Sequence, residues 1–405
     1  MDHTKTKELS PGMRLTLTLG DMGDLGECVA SYGLQRLFVF GGIPGELVDA
    51  ELIRISHNRI SARVVTVLEP SPHRVEPPCP YFWPCTGCQW QHISYEHQLQ
   101  LKHELVKACL DQQAGLKDIP VLPTLPSPQL YGYRNHARFT VGPHGLLGFV
   151  NRVTRRFVNV ETCALMDPRI NQTLDHLQGH CAETTQLSVR CGINTGDQLI
   201  QPTLVGNGIS LKTGQTHYEE TLGGRRFLIG SPSFFQVNTP QAEAMVAHIL
   251  NRLSPTGQEV LVDTYAGVGT LAALMAPHVH QVIAIEESAA AIKDARINVQ
   301  GLANVEIRQG RTEELLSTIS PPPDVVLLDP PRSGCHPTAI AALEKLAPKQ
   351  VFYVSCNPTT LARDLSLLAK GSFKVEEVLP VDLFPQTHHI ECIAILSRMP
   401  DPGHP

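Results

Sequence analysis

The sequence predicts an α/β fold for the C-terminal part of the chain, preceded by a small β-barrel and a β-rich middle region. Three observations carry this prediction. From residue 241 onward, apolar strand-like segments alternate with helical segments, which is typical of a parallel sheet. Residues 13–69 contain short alternating segments separated by Gly-rich turns, and the proline-dense stretch 69–80 marks a boundary after them. The length of 405 residues accommodates two or three domains.

The composition excludes several classes of protein. The chain has 33 Lys and Arg against 39 Asp and Glu, a net charge of −6, and 42% hydrophobic residues. These values exclude a disordered, fibrous or small disulfide-stapled protein and argue against a uniformly basic nucleic-acid binder. No segment is apolar enough to span a membrane, and the polar start is unlike a signal peptide. We therefore expect a cytoplasmic protein with reduced cysteines, whose clusters indicate metal binding or catalysis.

The N-terminal region shows the alternation of a sheet with one buried face. Alternation over such short segments fits a small closed β-barrel better than it fits helices. The apolar positions are Leu15, Leu17, Leu19, Val64, Val65 and Val67.

The middle region opens with a predicted helix at 95–115, and a β-rich region follows from about 120 to 228. Between residues 130 and 160 this region has five arginines and no acidic residue, and aromatic residues are interleaved with them. Cations for phosphates and aromatics for unstacked bases suit single-stranded or loop RNA, although several of the aromatics are equally suited to a core. The residues are Arg134, Arg138, Arg152, Arg155, Arg156, Tyr131, Tyr133, Phe139, Phe149 and Phe157.

Six apolar segments in the C-terminal part are predicted strands, with helical segments between most of them. An α/β sheet places its active site at the carboxyl ends of its strands, so the residues that follow each segment are candidates for a site. The segments are 259–263, 281–286, 324–329, 351–356, 375–384 and 390–396.

The segment DTYAGVGT, residues 263–270, follows the first of these strands and opens a helix. Its glycines allow the backbone to approach a ligand closely, and Glu286, at the end of the next strand, is placed to accept hydrogen bonds from ribose hydroxyls. This arrangement fits a dinucleotide or S-adenosylmethionine, and a simple tight turn also explains the two glycines. The third glycine of the dinucleotide motif is missing, which disfavours NAD.

Two further strand ends carry reactive groups. Asp329 begins DPPRSG, a rigid double-proline turn that directs the acid into the crevice above the sheet. Cys356 lies in SCNP at another strand end, where a thiolate with a lowered pKa is a strong nucleophile. The segment THHIE supplies two histidines and Glu391 as candidate general bases. Taken alone, the proline turn could simply end a strand, and Glu391 could be a solvated strand residue.

The cysteine pattern indicates a metal site. Cys79, Cys85 and Cys88 have the spacing C-x5-C-x2-C, and Cys163 is a distant fourth candidate. Four thiolates can hold a [4Fe–4S] cluster or a structural zinc, and the spacing does not choose between them. The pattern is not C-x3-C-x2-C, which disfavours a radical S-adenosylmethionine enzyme, and a disulfide is unexpected in the cytosol.

The motifs DPPRSG, SCNPTTLARD and THHIE, in this order, resemble those of the RNA (uracil-5-)-methyltransferase family, and FFQVN and DTYAGVGT resemble its cofactor motifs. The cysteine stretch follows the family pattern too, so the resemblance covers nearly the whole chain. It implies a Rossmann-like class I S-adenosylmethionine-dependent methyltransferase domain with Cys356 as nucleophile and Glu391 as base. The residues it implies for binding S-adenosylmethionine are Gln236, Tyr265, Glu286 and Asp329.

The same resemblance implies roles for the remaining motifs. It favours a [4Fe–4S] cluster, rather than zinc, on Cys79, Cys85, Cys88 and Cys163. The segment GGIPGE, residues 41–46, resembles the TRAM domain, a small β-barrel associated with RNA binding. Ala266 is a departure, because relatives often carry Cys there, but a small residue at this position only needs to pack.

The resemblance implies an enzyme that methylates carbon 5 of a specific uridine in RNA through a covalent Cys–uracil intermediate. The favoured target is 23S ribosomal RNA, by analogy at the level of the fold, and the alternative is the T-loop uridine of tRNA. An amino-methyltransferase acting on adenine or guanine is disfavoured by Arg332, Cys356 and Glu391. The intact pair of Cys356 and Glu391 also disfavours a non-catalytic RNA-binding protein of ribosome assembly.

We expect three domains in a monomer that binds RNA and no membrane. The barrel comprises residues 1–70, and the central iron–sulfur domain that contacts RNA comprises residues 71–92 and 120–228. The methyltransferase domain comprises residues 93–119 and 229–405, with the helix at 95–115 packed on it.

Overall fold

The computed structural model describes residues 9–206 and 208–400. Residues 1–8, which begin the predicted barrel and contain most of the polar N-terminal stretch, lie outside the described residues, as do residues 401–405 at the end of the predicted methyltransferase domain. Within the described ranges, no helix has the length and apolar character needed to cross a membrane.

The N-terminal strands form a closed five-stranded barrel with the spatial order β1-β4-β5-β3-β2. Two backbone hydrogen bonds close the sheet, from Gly20 N–H to the Val29 carbonyl (2.7 Å) and from Val29 N–H to the Asp21 carbonyl (2.9 Å). They join the chain after the first strand to the second strand, so this sheet has no free long edge. The strands are β1 (Arg14–Thr18), β2 (Cys28–Tyr32), β3 (Gln35–Phe40), β4 (Leu47–Ser56) and β5 (Arg59–Glu69).

The barrel core follows from the alternation of its strands. Leu15, Leu17 and Leu19 are buried, as their spacing predicts. Val64 is half-buried and its neighbour Val65 is exposed, because consecutive residues of a strand face opposite sides of the sheet.

The middle of the chain contains a second five-stranded sheet, entirely antiparallel, with the order β10-β9-β6-β7-β8. The predicted helix at 95–115 is shorter than expected and ends at Asp111. The helices and strands of the middle region are α1 (Phe82–Cys85), α2 (Tyr95–Asp111), β6 (His136–Val141), β7 (Leu147–Val150), β8 (Phe157–Asn159), α3 (Pro168–Leu177), β9 (Gln186–Cys191), β10 (Gln198–Gln201), β11 (His217–Leu222) and β12 (Arg225–Gly230).

Two of these elements differ from the sequence-based expectation. Helix α3 interrupts the region expected to be β-rich, and its start carries a recognisable signal: Asp167 caps the helix by accepting the Arg169 N–H, and Pro168 follows it. Strands β11 and β12 pair only with each other, and Phe227 and Ile229 pack against the α/β domain. The expected boundary at 228 therefore falls inside β12.

The C-terminal part is a three-layer α/β structure around a seven-stranded sheet of order β15-β14-β13-β16-β17-β19-β18. The first five strands in this order are parallel, and β19 runs antiparallel to both of its neighbours. The elements are α4 (Thr239–Leu253), β13 (Val260–Thr264), α5 (Thr270–Met275), β14 (Gln281–Glu286), α6 (Ala289–Asn298), β15 (Val305–Gln309), α7 (Thr312–Leu315), β16 (Val325–Leu328), α8 (Pro337–Leu346), β17 (Gln350–Ser355), α9 (Pro358–Lys370), β18 (Phe373–Val381) and β19 (Glu391–Arg398).

All six predicted strands are present within a few residues of their predicted limits, and β15 is an additional strand. Its sequence VEIRQ is short and half polar because it lies at the edge of the sheet, where only one side is paired. Apolar side chains of α2, α8 and α9 cover one face of the sheet, and those of α4 and α5 cover the other. This layering places helix α2 on the α/β domain, although it precedes that domain by more than a hundred residues.

A buried ion pair fixes helix α2 to the loop after β18. The Lys102 ammonium contacts the Asp382 carboxylate at 2.5 Å and donates a second hydrogen bond to the Phe384 carbonyl at 3.2 Å. Both charged side chains are completely buried. A buried charge is tolerated only with its partner, so each residue depends on the other.

Replacing Lys102 by Met should lower the free energy of unfolding by about 3–5 kcal/mol, because Asp382 would remain buried without a counter-ion. Urea denaturation followed by circular dichroism measures this change. The matched control is Lys107→Met on the same helix, since Lys107 forms an exposed pair with Asp111 and its loss should cost less than about 1 kcal/mol. Equal effects of the two substitutions would show that the buried pair does not anchor the helix.

Candidate functional site

The strand order reverses at β13, which places a crevice at the carboxyl ends of β13 and β16. From β13 the chain continues to β14 and β15 on one side, and later to β16 and β17 on the other. Ligands of open α/β sheets bind at such a reversal. The chain leaves β13 at Tyr265 and β16 at Asp329, so both residues flank this crevice.

The turn after β13 has the backbone conformation that its glycines permit. Gly267 and Gly269 have positive φ angles of 55° and 79°, and α5 begins directly after them. The Glu286 carboxylate accepts the N–H groups of Gly267 (2.8 Å) and Ser288 (2.7 Å). These bonds hold the carboxylate at the end of β14 and fix the turn that faces it.

Two cavities adjoin at Tyr265. The larger, of about 570 Å³, is lined by Glu286, Thr312 and Pro331 among others. The smaller, of about 70 Å³, is lined by Gln236, Asp263 and Asp329 among others. Tyr265 lines both, Glu286 lines the larger, and Gln236 and Asp329 line the smaller, so the four residues expected to bind a cofactor lie around two neighbouring cavities.

The smaller cavity is lined by two carboxyl groups, those of Asp263 and Asp329. Burial, with Asp329 and Glu286 nearby, raises the pKa of Asp263 to about 8. One oxygen of this carboxyl accepts the Ala272 N–H at 2.8 Å, and the other is buried with no hydrogen-bond partner. Burial also raises the pKa of Asp329. Two desolvated carboxyls without a cation favour a positively charged ligand.

The structure brings Cys356 and Glu391 together at the same end of the sheet. Strand β17 pairs with β19 so that Ser355 lies opposite Cys392, which places the next residue of each strand end, Cys356 and Glu391, side by side. Glu391 is buried, and burial together with the neighbouring Asp329 raises its pKa well above the usual value, while Arg332 opposes this.

The Cys356 thiol is half-buried between charges of opposite sign. Burial raises its pKa, as do Glu391 and Asp329, whereas the Arg332 guanidinium lowers it. Asn357, the next residue, caps α9 by accepting the Thr359 N–H at 3.0 Å, so the thiol sits at the start of a helix. The net result is a raised pKa, not the lowered one expected from the sequence, because burial outweighs the guanidinium. The guanidinium and the helix start stabilise the thiolate against this effect.

Three residues of this region were not among the predicted site residues. Arg332 is exposed in the double-proline turn and faces both Cys356 and Glu391. Asp263 is a buried carboxyl in β13. Phe234 lines the smaller cavity, and 68% of its surface is exposed. Their position inside recognised motifs was the sequence signal, but only the folded chain shows that these side chains face the cavity or the Cys356 and Glu391 pair.

The four candidate metal ligands are close enough to act on one another's pKa values. All eleven cysteines are free thiols. The pKa of Cys85 is raised to about 11, mainly by burial and also by Cys163 and Cys79, although the Gly87 N–H acts to lower it. The N–H groups of Leu165 and Met166 lower the pKa of Cys163 against the effect of its burial. Backbone donors aimed at sulfur stabilise the thiolate form that a metal requires.

These four thiols are not arranged in the geometry of a site for a single metal ion. Among the residues that the structure describes, no three His, Cys, Asp or Glu side chains are grouped closely enough to hold a metal ion. The donor set fits a thiolate-bound group in chemistry, and the choice between zinc and an iron–sulfur cluster stays a prediction.

Comparisons with known proteins agree with this geometry. The family model of tRNA (uracil-5-)-methyltransferases matches residues 322–399, which contain the double-proline turn, Cys356 and Glu391. An uncharacterized RNA methyltransferase of Gloeobacter violaceus is 32% identical over 96% of this chain and 98% of its own length. One from Thermosynechococcus vestitus is 34% identical over 95% and 98%.

The chain belongs to the RNA (uracil-5-)-methyltransferase family. Its fold is also that of a solved structure, the Pyrococcus abyssi tRNA (uracil-54, C5)-methyltransferase in complex with S-adenosyl-L-homocysteine. The TM-score is 0.76 at 23% identity, covering 94% of this chain and 100% of that one. The α/β methyltransferase fold expected from the sequence is therefore confirmed.

The two histidines of this methyltransferase's THHIE segment are poor bases. Burial lowers the pKa of His388 to about 3 and that of His389 to about 4, and nearby cations such as Arg152 and Arg332 act in the same direction. Both rings are neutral at pH 7, which leaves Glu391 as the stronger base among the candidates of this segment.

The arginine-rich stretch of the methyltransferase divides into an exposed and a buried part. Arg152, Arg155 and Arg156 are exposed on the loop between β7 and β8. Tyr133 and Phe139, by contrast, are completely buried in the core. The cations therefore face solvent, while these aromatics stabilise the sheet beneath them.

Proposed function

We propose that this protein transfers a methyl group from S-adenosylmethionine to carbon 5 of a uridine in RNA, with Cys356 as the covalent nucleophile. The observation that carries the proposal is the pairing of Cys356 with Glu391 beside an acidic cavity at the sheet reversal. S-adenosylmethionine, when bound, supplies an electrophilic methyl group. The remaining steps are the work of the chain's own residues.

The cofactor residues are assigned by charge and position. Asp329 and Asp263 face a cationic ligand in a desolvated cavity, where their charges act strongly. Glu286 retains lone pairs for ribose hydroxyls after accepting two backbone N–H groups. Tyr265 lines both cavities and would pack against the nucleoside, and Gln236 completes the wall.

The nucleophilic step overcomes the low reactivity of carbon 5. The Cys356 thiolate, stabilised by Arg332, forms a bond to carbon 6 of uracil and shifts an electron pair to carbon 5 as an enolate. Carbon 5 then takes the methyl group, while the methyl's bond to the sulfonium sulfur breaks and its electron pair stays on that sulfur. Since the thiol is only half-buried, a base flipped out of its RNA stack can reach it, at a cost of a few kcal/mol.

Glu391 completes the reaction as the base. Its carboxylate removes the proton from carbon 5, and the returning electron pair breaks the bond between carbon 6 and Cys356, which restores the double bond and frees the enzyme. Burial makes this carboxylate a stronger base than an exposed one once it is ionised. A cation bound near Asp329 and the guanidinium of Arg332 favour that ionised form.

We propose ribosomal RNA as the target, because the barrel and cysteine motifs resemble the large-subunit type of this family. The alternative is the T-loop uridine of tRNA, on which the Pyrococcus abyssi enzyme acts according to its name. The exposed Arg152, Arg155 and Arg156 and the N-terminal barrel, proposed as a TRAM-like domain, would contact the RNA. A non-catalytic role in ribosome assembly is the alternative of another class.

The four clustered cysteines are proposed to hold a [4Fe–4S] cluster of structural role, with zinc as the alternative. We also propose the three-domain division into a barrel to residue 70, a central domain at 71–92 and 120–228, and a methyltransferase domain at 93–119 and 229–405. The protein would act as a monomer in the cytoplasm.

The affinity for S-adenosylmethionine should increase as the pH rises from about 6 to about 9. Asp263, with a pKa of about 8, and Asp329 lose protons over this range, and the ionised carboxylates attract the cationic ligand. Titration calorimetry at several pH values measures this. Asp263→Asn should flatten the dependence, and S-adenosylhomocysteine, which lacks the sulfonium charge, should show a weaker one. An affinity that falls with rising pH would contradict the assignment.

Purified enzyme should incorporate labelled methyl groups into unmodified ribosomal RNA, and Cys356→Ala should abolish both turnover and the covalent adduct with 5-fluorouridine RNA. Mapping of 5-methyluridine after separate incubations with ribosomal RNA and tRNA identifies the target. Cys109→Ala, at a half-buried thiol of α2, is the control and should remain active. Normal turnover by Cys356→Ala would refute the covalent mechanism, and methylation of tRNA alone would refute the ribosomal target.

Protein purified without oxygen should contain about four iron and four sulfide per chain. Cys85→Ser should lower the iron content, because it removes a thiolate ligand, whereas Cys109→Ser should leave it unchanged. Elemental analysis and sulfide assay give both values. One zinc per chain and no iron would establish the alternative metal.

A further inference from the structure

The loop between β18 and β19 leads directly to Glu391 and is attached to the cysteine turn. The N–H groups of Gln89 (3.3 Å) and Trp90 (3.1 Å) both donate to the carbonyl oxygen of Gln386. Gln89 immediately follows Cys88, so the chain that carries two of the clustered thiols is hydrogen-bonded to the segment that carries the base.

The side chain of Gln89 adds a second connection between the cysteine turn and this loop. Its Oε1 accepts the Nδ1–H of His388 at 3.0 Å. Its Nε2 donates to the carbonyls of Thr86 (3.0 Å) and Gly87 (3.3 Å), the two residues between Cys85 and Cys88. One amide therefore spans the cysteine turn and a histidine three residues before Glu391.

Helix α2 supports the same loop through Gln98. Gln386 and Gln98 form a reciprocal pair, in which the Gln98 Nε2 donates to Gln386 Oε1 and the Gln386 N–H donates to Gln98 Oε1, both at 3.0 Å. Gln386 has a φ of 69°, a conformation that a non-glycine residue holds only under constraint. The cysteine turn supports the loop at two points, through the backbone bonds to Gln386 and through the Gln89 side chain, which reaches His388.

His388 has little freedom to find another partner. A Cβ built on Gly26 of the barrel would lie 2.8 Å from the Cβ of His388 and 3.1 Å from the Trp90 ring nitrogen, so the barrel backbone closes this side. The ring is neutral, and its Nδ1–H has the Gln89 oxygen as its acceptor. Loss of that acceptor would leave a mostly buried N–H unsatisfied and shift the histidine.

We propose that Gln89 is a positioning residue for the methyl-transfer reaction, which couples the turn between Cys85 and Cys88 to the Glu391 loop through His388. The inference rests on the proposed role of Glu391 as base. A change in the cysteine turn, such as loss of its bound group, is transmitted to the base through this amide. The reacting atoms themselves are not touched by Gln89.

The test compares Gln89→Met, Gln89→Glu and the control Gln100→Met in the full chain. Methionine removes all three side-chain hydrogen bonds, glutamate keeps an acceptor for His388, and Gln100 is exposed on α2. We expect Gln89→Met to lower kcat about tenfold with little change in KM for S-adenosylmethionine, since misplacement of a reacting group costs rate rather than binding. Gln89→Glu should retain most of the rate, and Gln100→Met all of it.

Hydrogen exchange gives a readout that does not depend on activity. Peptides covering residues 386–391 should exchange faster in Gln89→Met than in Gln100→Met, and also faster in the wild-type protein after its metal is removed by chelation. Far-UV circular dichroism checks that Gln89→Met is folded, and if it is not, Gln89→Glu decides alone through its retained rate and protected loop.

The outcomes separate this inference from the proposed function. Wild-type exchange and kcat in Gln89→Met, or equal losses in Gln89→Met and Gln89→Glu, would overturn the positioning role while methyl transfer by the wild type stands. Absence of methyl transfer by the wild type would refute the proposed function. Faster exchange of the loop in Gln89→Met would then still establish the coupling.

Discussion

The loop from Asp382 to Ile390 is buried without being a helix or a strand, so its polar groups need partners from elsewhere in the chain. Burying an unpaired amide or carboxylate costs several kcal/mol, and this cost is avoided only when distant segments converge. These segments are α2, the chain just before β6 and the start of α4. The donors are Lys102 to the Phe384 carbonyl, Tyr133 to that of Pro385, Asn238 to that of Leu383 and Gln98 to the side chain of Gln386.

This convergence explains how the proposed catalytic pair can form from one residue at a strand end and another that follows a loop. Cys356 is placed by a buried strand and the capped helix after it, which are stable locally. Glu391 begins β19, and its position depends on where the preceding loop ends. The same loop makes contact with the cysteine turn, so the site and the proposed metal group share one structural support.

The electrostatics of the site follow from desolvation more than from the number of charges. Burial is the largest influence on Asp263, Asp329 and Glu391, and in each case it raises the pKa. Arg332 is the cation that faces both Cys356 and Glu391. A cavity of this kind attracts a cationic ligand and, in turn, becomes more fully ionised when that ligand is present. If the proposed roles hold, cofactor binding and ionisation of Glu391 are therefore linked.

The sequence by itself determined the strands of the central sheet and the motifs at their carboxyl ends, because apolar runs and turn residues are local signals. It did not reveal β15, whose edge position allows a polar sequence, or that Val65 would face outward. The contacts of Arg332 and Gln89 could not be predicted either, since nothing local distinguishes a side chain that faces a reactive group from one that faces solvent. Only the tertiary structure placed Glu391 beside Cys356 and a glutamine of the cysteine turn beside His388. These contacts join residues up to about three hundred positions apart, and they are decided by how separately folded segments satisfy one another's buried polar groups.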